Sequence, residues 1–285
     1  MLRWKTTLAA LIAVAGMSAQ EQVVSPPDIP DTCLSPGGQT GFLLEHYWQN
    51  YAFDDHSDAN QIAGEQRFID YLGLLSRADA AVMARSVAAF TDSITRRVPT
   101  LKLWCELIDH YLGAPNSPWR NDVVYAEVLR HLPPTPQNVF RLKIIGRNQP
   151  GTPATDFAYI DREGRDHHLY DLDSPWTLII FSNPDCSHCQ EQMPRLMANK
   201  VLQGTEGLTV LSIDPDDDET AWKNDVKPVP PNWIEGRSPM GEIVREQTYY
   251  LPQLPSLYLL DREKRVVVKD GRIEQVEAAL NTQQE

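Results

Sequence analysis

The sequence predicts an all-α half followed by an α/β half, and three observations predict it. Apolar residues before about position 145 recur at helical spacing, and those after it gather in short continuous runs bounded by turns. The change falls at Pro150-Gly151-Thr152-Pro153, a turn-forming cluster that neither a helix nor a strand tolerates in its interior. At 285 residues the chain has room for two ordinary domains.

Residues 1–19 read as a cleaved secretory signal. Arg3 and Lys5 precede an uncharged run from Thr6 to Met17, and the small pair Ser18-Ala19 supplies the cleavage position. That run is only about half of the roughly 20 residues a membrane span needs, so a retained anchor is the weaker reading. The expected compartment is therefore the periplasm. Loss of Arg3 and Lys5 leaves 24 basic against 39 acidic residues, a net charge of −15. Such a surface excludes nucleic acid as a partner, because phosphate recognition needs clustered Lys and Arg.

Residues 20–37 read as a linker, since Pro26-Pro27 and Pro30 block regular structure. From 38 to 145 the pattern is helical. Phe68, Tyr71, Leu72 and Leu75 share one face, as do Val87, Phe90 and Ile94, and Leu101, Trp104, Ile108, Tyr111 and Leu112. Pro99, the stretch Gly113 to Pro118, and Pro133-Pro134-Thr135-Pro136 punctuate these helices. Tyr47, Trp48 and Tyr51 read as core rather than as a partner groove.

Residues 146–285 form the α/β half. Phe157 to Ile160, the turn Asp161 to Gly164, and His168 to Tyr170 read as a hairpin. Trp176 to Phe181 and Leu208 to Ile213 are apolar almost throughout, as strands buried on both faces are. A late hairpin is expected over Leu257 to Leu260 and Arg265 to Val268. Ile273, Val276 and Leu280 then line a closing helix.

The Phe181 strand runs through Ser182-Asn183-Pro184-Asp185 into Cys186-Ser187-His188-Cys189, which opens a segment of helical composition. A cysteine at a helix N-terminus faces unpaired N–H groups and the positive end of the dipole. Such sites commonly hold a nucleophile pKa of ~3.5 to 7.5. Cys186 is the expected nucleophile. Cys189, one turn on and on the same face, is the expected resolving thiol. His188, with Ser187, is expected to tune the redox balance toward a more oxidising disulfide. A zinc site lacks ligands, because one C-x-x-C supplies two and His188 lies too close to both. The run Asp216 to Glu219 lacks the glycine of an EF-hand loop and reads as a solvated helix start. No metal or cofactor is called for.

Residues from about Gly151 to Leu280 resemble the thioredoxin superfamily, in particular its periplasmic TlpA-like and cytochrome-maturation branch. The matching features are the Phe181 strand, the Cys186 to Cys189 motif, Pro194 five residues further on, and Leu254-Pro255-Ser256 before the Leu257 strand. The resemblance implies a central mixed sheet flanked by helices, thiol-disulfide oxidoreductase activity, and a cis-proline loop in which Leu254 and Pro255 contact the substrate. The partners it implies are protein thiols or disulfides and a membrane electron donor. The 69 residues from Cys186 to Pro255 leave space for the extra helix and strand of the TlpA-like branch, with Asp214 to Asp225 inside that addition. Two departures stand out: Ile180 occupies the place of a buried acid in thioredoxin, and Asp185 replaces the usual tryptophan. Peroxiredoxins place Thr three residues before their reactive cysteine, where this chain has Asn183.

Residues from about Gly38 to Asn138 resemble an uncharacterised helical domain that precedes thioredoxin-like domains in exported proteins of Gram-negative bacteria. The resemblance rests on Phe42 to Phe53, Glu65 to Phe68 and Tyr111 to Tyr125. Cys33 and Cys105 either form a structural disulfide or remain free, a choice that geometry makes. A rival reading of the whole chain is a peptide- or glycan-binding module in which Cys186 and Cys189 form a static disulfide.

Overall fold

The computed structural model describes residues 28–30, 35–216 and 218–282. The expected signal segment 1–19, Cys33 and Asp217 lie outside these residues.

Six α-helices build the first half: α1 Pro36–His46, α2 Asp58–Leu75, α3 Ala80–Thr95, α4 Val98–Ile108, α5 Asp122–His131 and α6 Pro136–Ile145. Their starts are legible locally. Ser57, Asp79, Asn121 and Thr135 each turn a side-chain oxygen onto a first-turn N–H, and Pro99 and Pro136 sit in first turns, where no intrahelical donor is lost. α1 begins at Pro36, capped by Ser35, so the expected linker ends two residues early. α4 continues into a π-helical turn, Asp109–Gly113, which carries Tyr111 and Leu112.

The faces expected from periodicity converge on an aromatic cluster. Trp48 lies 5.1 to 5.5 Å from the rings of Tyr47, Tyr51, Phe53, Tyr71, Phe90 and Trp104, most of them edge-on. Such pairs contribute about 0.5–1.5 kcal/mol each beyond their burial. Tyr47, Trp48 and Tyr51 are therefore core.

The second half is one seven-stranded mixed sheet in the order β2-β1-β5-β4-β3-β6-β7. The strands are β1 Ala158–Asp161, β2 Asp166–His168, β3 Trp176–Phe181, β4 Leu208–Asp214, β5 Trp233–Arg237, β6 Ser256–Leu260 and β7 Val266–Gly271. β3, β4 and β5 run parallel, and β6 is antiparallel to β3. Helices α7 Ser187–Met197, α8 Lys200–Gly204, α9 Glu219–Asn224, α10 Glu242–Arg245 and α11 Ile273–Thr282 complete it. Alternate residues of the central strands feed two layers. Ile179, Phe181, Leu211 and Tyr258 pack on one face, and Leu178, Ile180, Val210 and Leu259 on the other, with α11.

Two expectations need correction. Leu169 and Tyr170 are not strand residues but lie in a 3-10 turn, Leu169–Asp171, because Asp171 and Asp156 accept from the backbone N–H groups of His168 and Tyr170 and bend the chain. Asp214 does not open the added region; it ends β4 and is buried. The acidic run after it does start a helix, since Asp218 caps α9 and Glu219 is exposed.

Candidate redox site

The register of β3 explains how residues far apart in sequence meet. Phe181 at the end of β3 pairs with Ser256 at the start of β6, so the residues after Phe181 and those before Ser256 leave the sheet at the same edge. β4 runs parallel to β3 and ends in Asp214 at that edge too.

Beyond Phe181, Asn183 shapes the turn: its side-chain oxygen accepts from the Asp185 N–H at 2.7 Å and its carbonyl from the Cys186 N–H at 3.2 Å. Gln190 Nε2 donates back to the Pro184 carbonyl at 2.7 Å. This places Cys186 as the N-cap of α7. Its Sγ accepts from the Cys189 N–H at 3.1 Å, doing with sulfur what a capping hydroxyl does with oxygen. Its S–H points at the Leu254 carbonyl, 3.6 Å away, and the Leu254-Pro255 peptide bond is cis. Pro194 lies inside α7, one turn past the motif.

The two thiols differ in access. Cys186 is half-buried, whereas Cys189 is buried at 1 % exposure. Burial, reinforced by the hydrogen bond with Cys186, pushes the Cys189 thiol up to about 11, although Asn183 N–H and Ser182 act in the opposite sense. Ser187 and His188 are exposed on the first turn of α7. Cys105 is brought nowhere near: it packs against the helical core, and burial followed by the charge of Asp109 pushes its thiol up to about 11. The pairing of Cys33 with Cys105 lies outside the described residues.

Sequence reasoning missed Asp214. It lines the same cleft as Cys189, together with Asn183, Met193 and Trp222. Burial pushes its carboxyl up to about 7. The Asp216 N–H at 3.1 Å opposes the shift, and the carboxylates of Asp216, Asp218 and Asp185 add to it. Asn183 links the two groups: its backbone faces Cys189, and its Nδ2 lies 3.4 Å from Asp214 Oδ1. The signal was in the sequence, since a carboxylate closing the apolar run Leu208 to Ile213 has to end at the sheet edge.

A thioredoxin-like protein of Bacteroides caccae is 30 % identical, with a TM-score of 0.84 over 90 % of this chain and 98 % of that one. The chain belongs to the thioredoxin-like family. Within it, residues 150–269 match the AhpC/TSA family and residues 9–144 match a domain of unknown function, DUF5106. The chain is also 26 % identical over 117 residues, 41 % of its length, to the thiol-disulfide oxidoreductase ResA of Bacillus thuringiensis subsp. konkukian. It is 28 % identical over 121 residues to a protein of the same name in Bacillus cereus. The chain spans 66 % and 69 % of the length of these two relatives.

Proposed function

We propose that this protein is an exported, periplasmic thiol-disulfide oxidoreductase that exchanges disulfides with protein substrates through Cys186 and Cys189. The observation that carries the reading is the half-buried Cys186 thiol at the start of α7, facing the Leu254 carbonyl, with a buried second thiol one turn behind it.

In the reducing direction the Cys186 thiolate attacks one sulfur of a substrate disulfide. A Cys186–substrate bond forms, the substrate S–S bond breaks, and one substrate thiolate leaves. Cys189 then attacks the Cys186 sulfur. The second substrate thiolate leaves, the enzyme holds the disulfide, and the substrate has gained two electrons. A dithiol donor, for which we propose a membrane partner, returns them. Oxidation of substrates is the same sequence reversed. Cys189 at about 11 is a poor nucleophile near neutral pH until its proton is taken, and the base in this reading is Asp214, which is raised to about 7 and lines the same cleft. Leu254 and Pro255 present an extended substrate segment beside Cys186, and Ser187 and His188 tune the balance between the two redox forms.

The test is a glutathione redox titration of the mature protein, with alkylated cysteines located by mass spectrometry. A midpoint between about −270 and −120 mV supports the reading, with Cys186 alkylated before Cys189 in the reduced native protein. At pH 7 a thiol near 11 is ionised in about one molecule in 10⁴, so Cys105 stays unmodified until the protein unfolds. A Cys186–Cys189 disulfide that no glutathione ratio and no dithiol reductant opens would sink this reading in favour of a binding module.

A further inference from the structure

The helical half contributes neither thiol of the site, yet its side chains and the connector behind it hold the loop that faces Cys186. The chain entering that loop is caught first. Arg147 Nη1 donates to the carbonyl oxygens of Glu246, at 2.7 Å, and Gln247, and Asn148 Nδ2 donates to that of Thr248 at 2.9 Å. Tyr250 then packs against the helical core, while its carbonyl accepts from the Tyr258 hydroxyl at 2.7 Å.

Beyond Pro255 the hold is ionic. Ser256 Oγ donates to Asp270 Oδ1 at 2.6 Å, and the other oxygen of that carboxylate accepts from Arg120, just ahead of α5. A second contact crosses the same seam with the charges exchanged: Lys269 Nζ lies 3.8 Å from Asp122 Oδ2 and donates to the Ile145 carbonyl. Both cations lie over the ring of Tyr250, Arg120 at 5.3 Å and Lys269 at 5.5 Å from its centre.

Asp270 reaches this seam because β7 departs from regular pairing. Its register against β6 shifts between Leu257 and Leu260, and Asp270 itself has φ of +42°. Irregularities of this kind turn a side chain out of the strand's alternation, and Asp is among the residues that accept a positive φ. The Arg120 and Asp270 side chains are 17 % and 8 % exposed, so solvent screens the pair little and the planar guanidinium geometry matters.

We infer that the helical half is a working part of the redox site, with Arg120 a positioning residue that acts through Asp270 and Ser256 to hold the Leu254–Ser256 loop against Cys186. This rests on the redox reading of Cys186 and Cys189. The line is short: the Arg120 guanidinium touches Asp270, Asp270 touches Ser256, and Ser256 is two residues from the carbonyl that faces the Cys186 sulfur. A protein segment that docks along this loop feels its placement, and that placement sets how tightly the segment is held.

The experiment uses full-length wild type, Arg120→Gln, Arg120→Lys and, as a control that weakens the helical core away from the loop, Leu75→Ala. The enzymes are turned over with a disulfide-bonded peptide and excess dithiothreitol, which returns two electrons to the Cys186–Cys189 disulfide each cycle, with kcat and KM measured separately above the uncatalysed reduction, and hydrogen exchange is followed at the Ser256 and Leu257 amides. Arg120→Gln is expected to raise KM by about tenfold or more with a much smaller change in kcat. Arg120→Lys, which keeps the charge without the fork, should recover part of that loss. Leu75→Ala should lower the melting temperature and leave KM alone. A wild-type KM in Arg120→Gln overturns the inference, and so does a rise of equal size in Leu75→Ala. If Arg120→Gln does not fold, Ser256→Ala removes only the hydroxyl link and takes its place, with the same expected rise and the same overturning result. A wild-type enzyme without exchange activity sinks the redox reading instead. Amide exchange then decides the positioning alone: faster in Arg120→Gln than in Leu75→Ala supports it, and equal rates overturn it.

Discussion

Asp161 and Asp214 are both buried carboxylates at strand ends, 5 % and 4 % exposed, yet they titrate in opposite directions. Asp161 closes β1 at the hairpin turn and is surrounded by donors. Its oxygens accept from the N–H groups of Glu163 at 3.0 Å and Arg165 at 2.9 Å, from Arg165 Nε at 2.8 Å, and lie 2.8 Å from His167 Nε2. Burial pushes this carboxyl up, but the hydrogen bonds from Arg165 and His167 outweigh it and hold it well below the usual range. Asp214 closes β4 with one backbone donor at 3.1 Å, a longer contact from Asn183 Nδ2 at 3.4 Å and three acidic neighbours, and burial wins. Burial alone therefore does not make a carboxylate basic; burial without enough donors does. The first arrangement serves a turn, and the second leaves a carboxyl raised toward neutral pH in the cleft that Cys189 also lines.

The largest test of this contrast is Asp214→Asn, which removes the base and keeps the shape. Release of the substrate from the mixed disulfide with Cys186 should slow by about 10²–10⁴-fold, the usual contribution of a positioned base, as read by stopped-flow exchange and trapping of the intermediate. In the wild type the same step should rise with pH to a half-maximum near 7. Asp161→Asn should leave this step unchanged, and an equal slowing in both variants would break the comparison.

Stability sharpens it next, because the signs are opposite. The folded pKa of Asp214 is raised, so the folded state holds its proton more tightly than the unfolded chain. Its contribution is full below about pH 4 and is lost as pH rises through about 7, a swing of up to about 4 kcal/mol. Asp161 is depressed, so its contribution is present above about pH 4 and lost as pH falls further. Urea unfolding across pH 3 to 8 should find Asp214→Asn more stable than wild type at pH 8 and Asp161→Asn less stable at pH 6. The smallest effect belongs to Asn183→Ala, which removes the side-chain donor facing Asp214 and Asp216 and should move the half-maximum of the exchange profile upward by less than about one pH unit.

Much of the fold was legible before the structure. The continuous apolar runs of β3 and β4 have no period to misread, and α2, α3 and α4 carry their buried faces at helical spacing between caps and prolines. β5 was not legible. Trp233–Arg237 holds few apolar residues, and it is a strand because β4 and β1 flank it. Gly236 carries that dependence: a Cβ there would meet Tyr159 Cδ2 at 2.6 Å and Ile213 Cδ1 at 3.0 Å, contacts that no local window contains. Leu169 and Tyr170 failed as strand because two aspartates bonded to the backbone outweighed β propensity.

The sequence by itself determined what depends on neighbours along the chain: two halves of different periodicity, a cysteine pair one helical turn apart, and a proline ahead of a buried strand. Tertiary structure alone decided what depends on neighbours across the sheet. The pairing of Phe181 with Ser256 brings Leu254 to Cys186, the parallel alignment of β3 and β4 brings Asp214 to the cleft that Cys189 lines, and the irregularity of β7 turns Asp270 toward Arg120. Periodicity reports which face of an element is buried, but it carries no record of which distant residue arrives at that face. The field that raises one aspartate and lowers another is set by those arrivals.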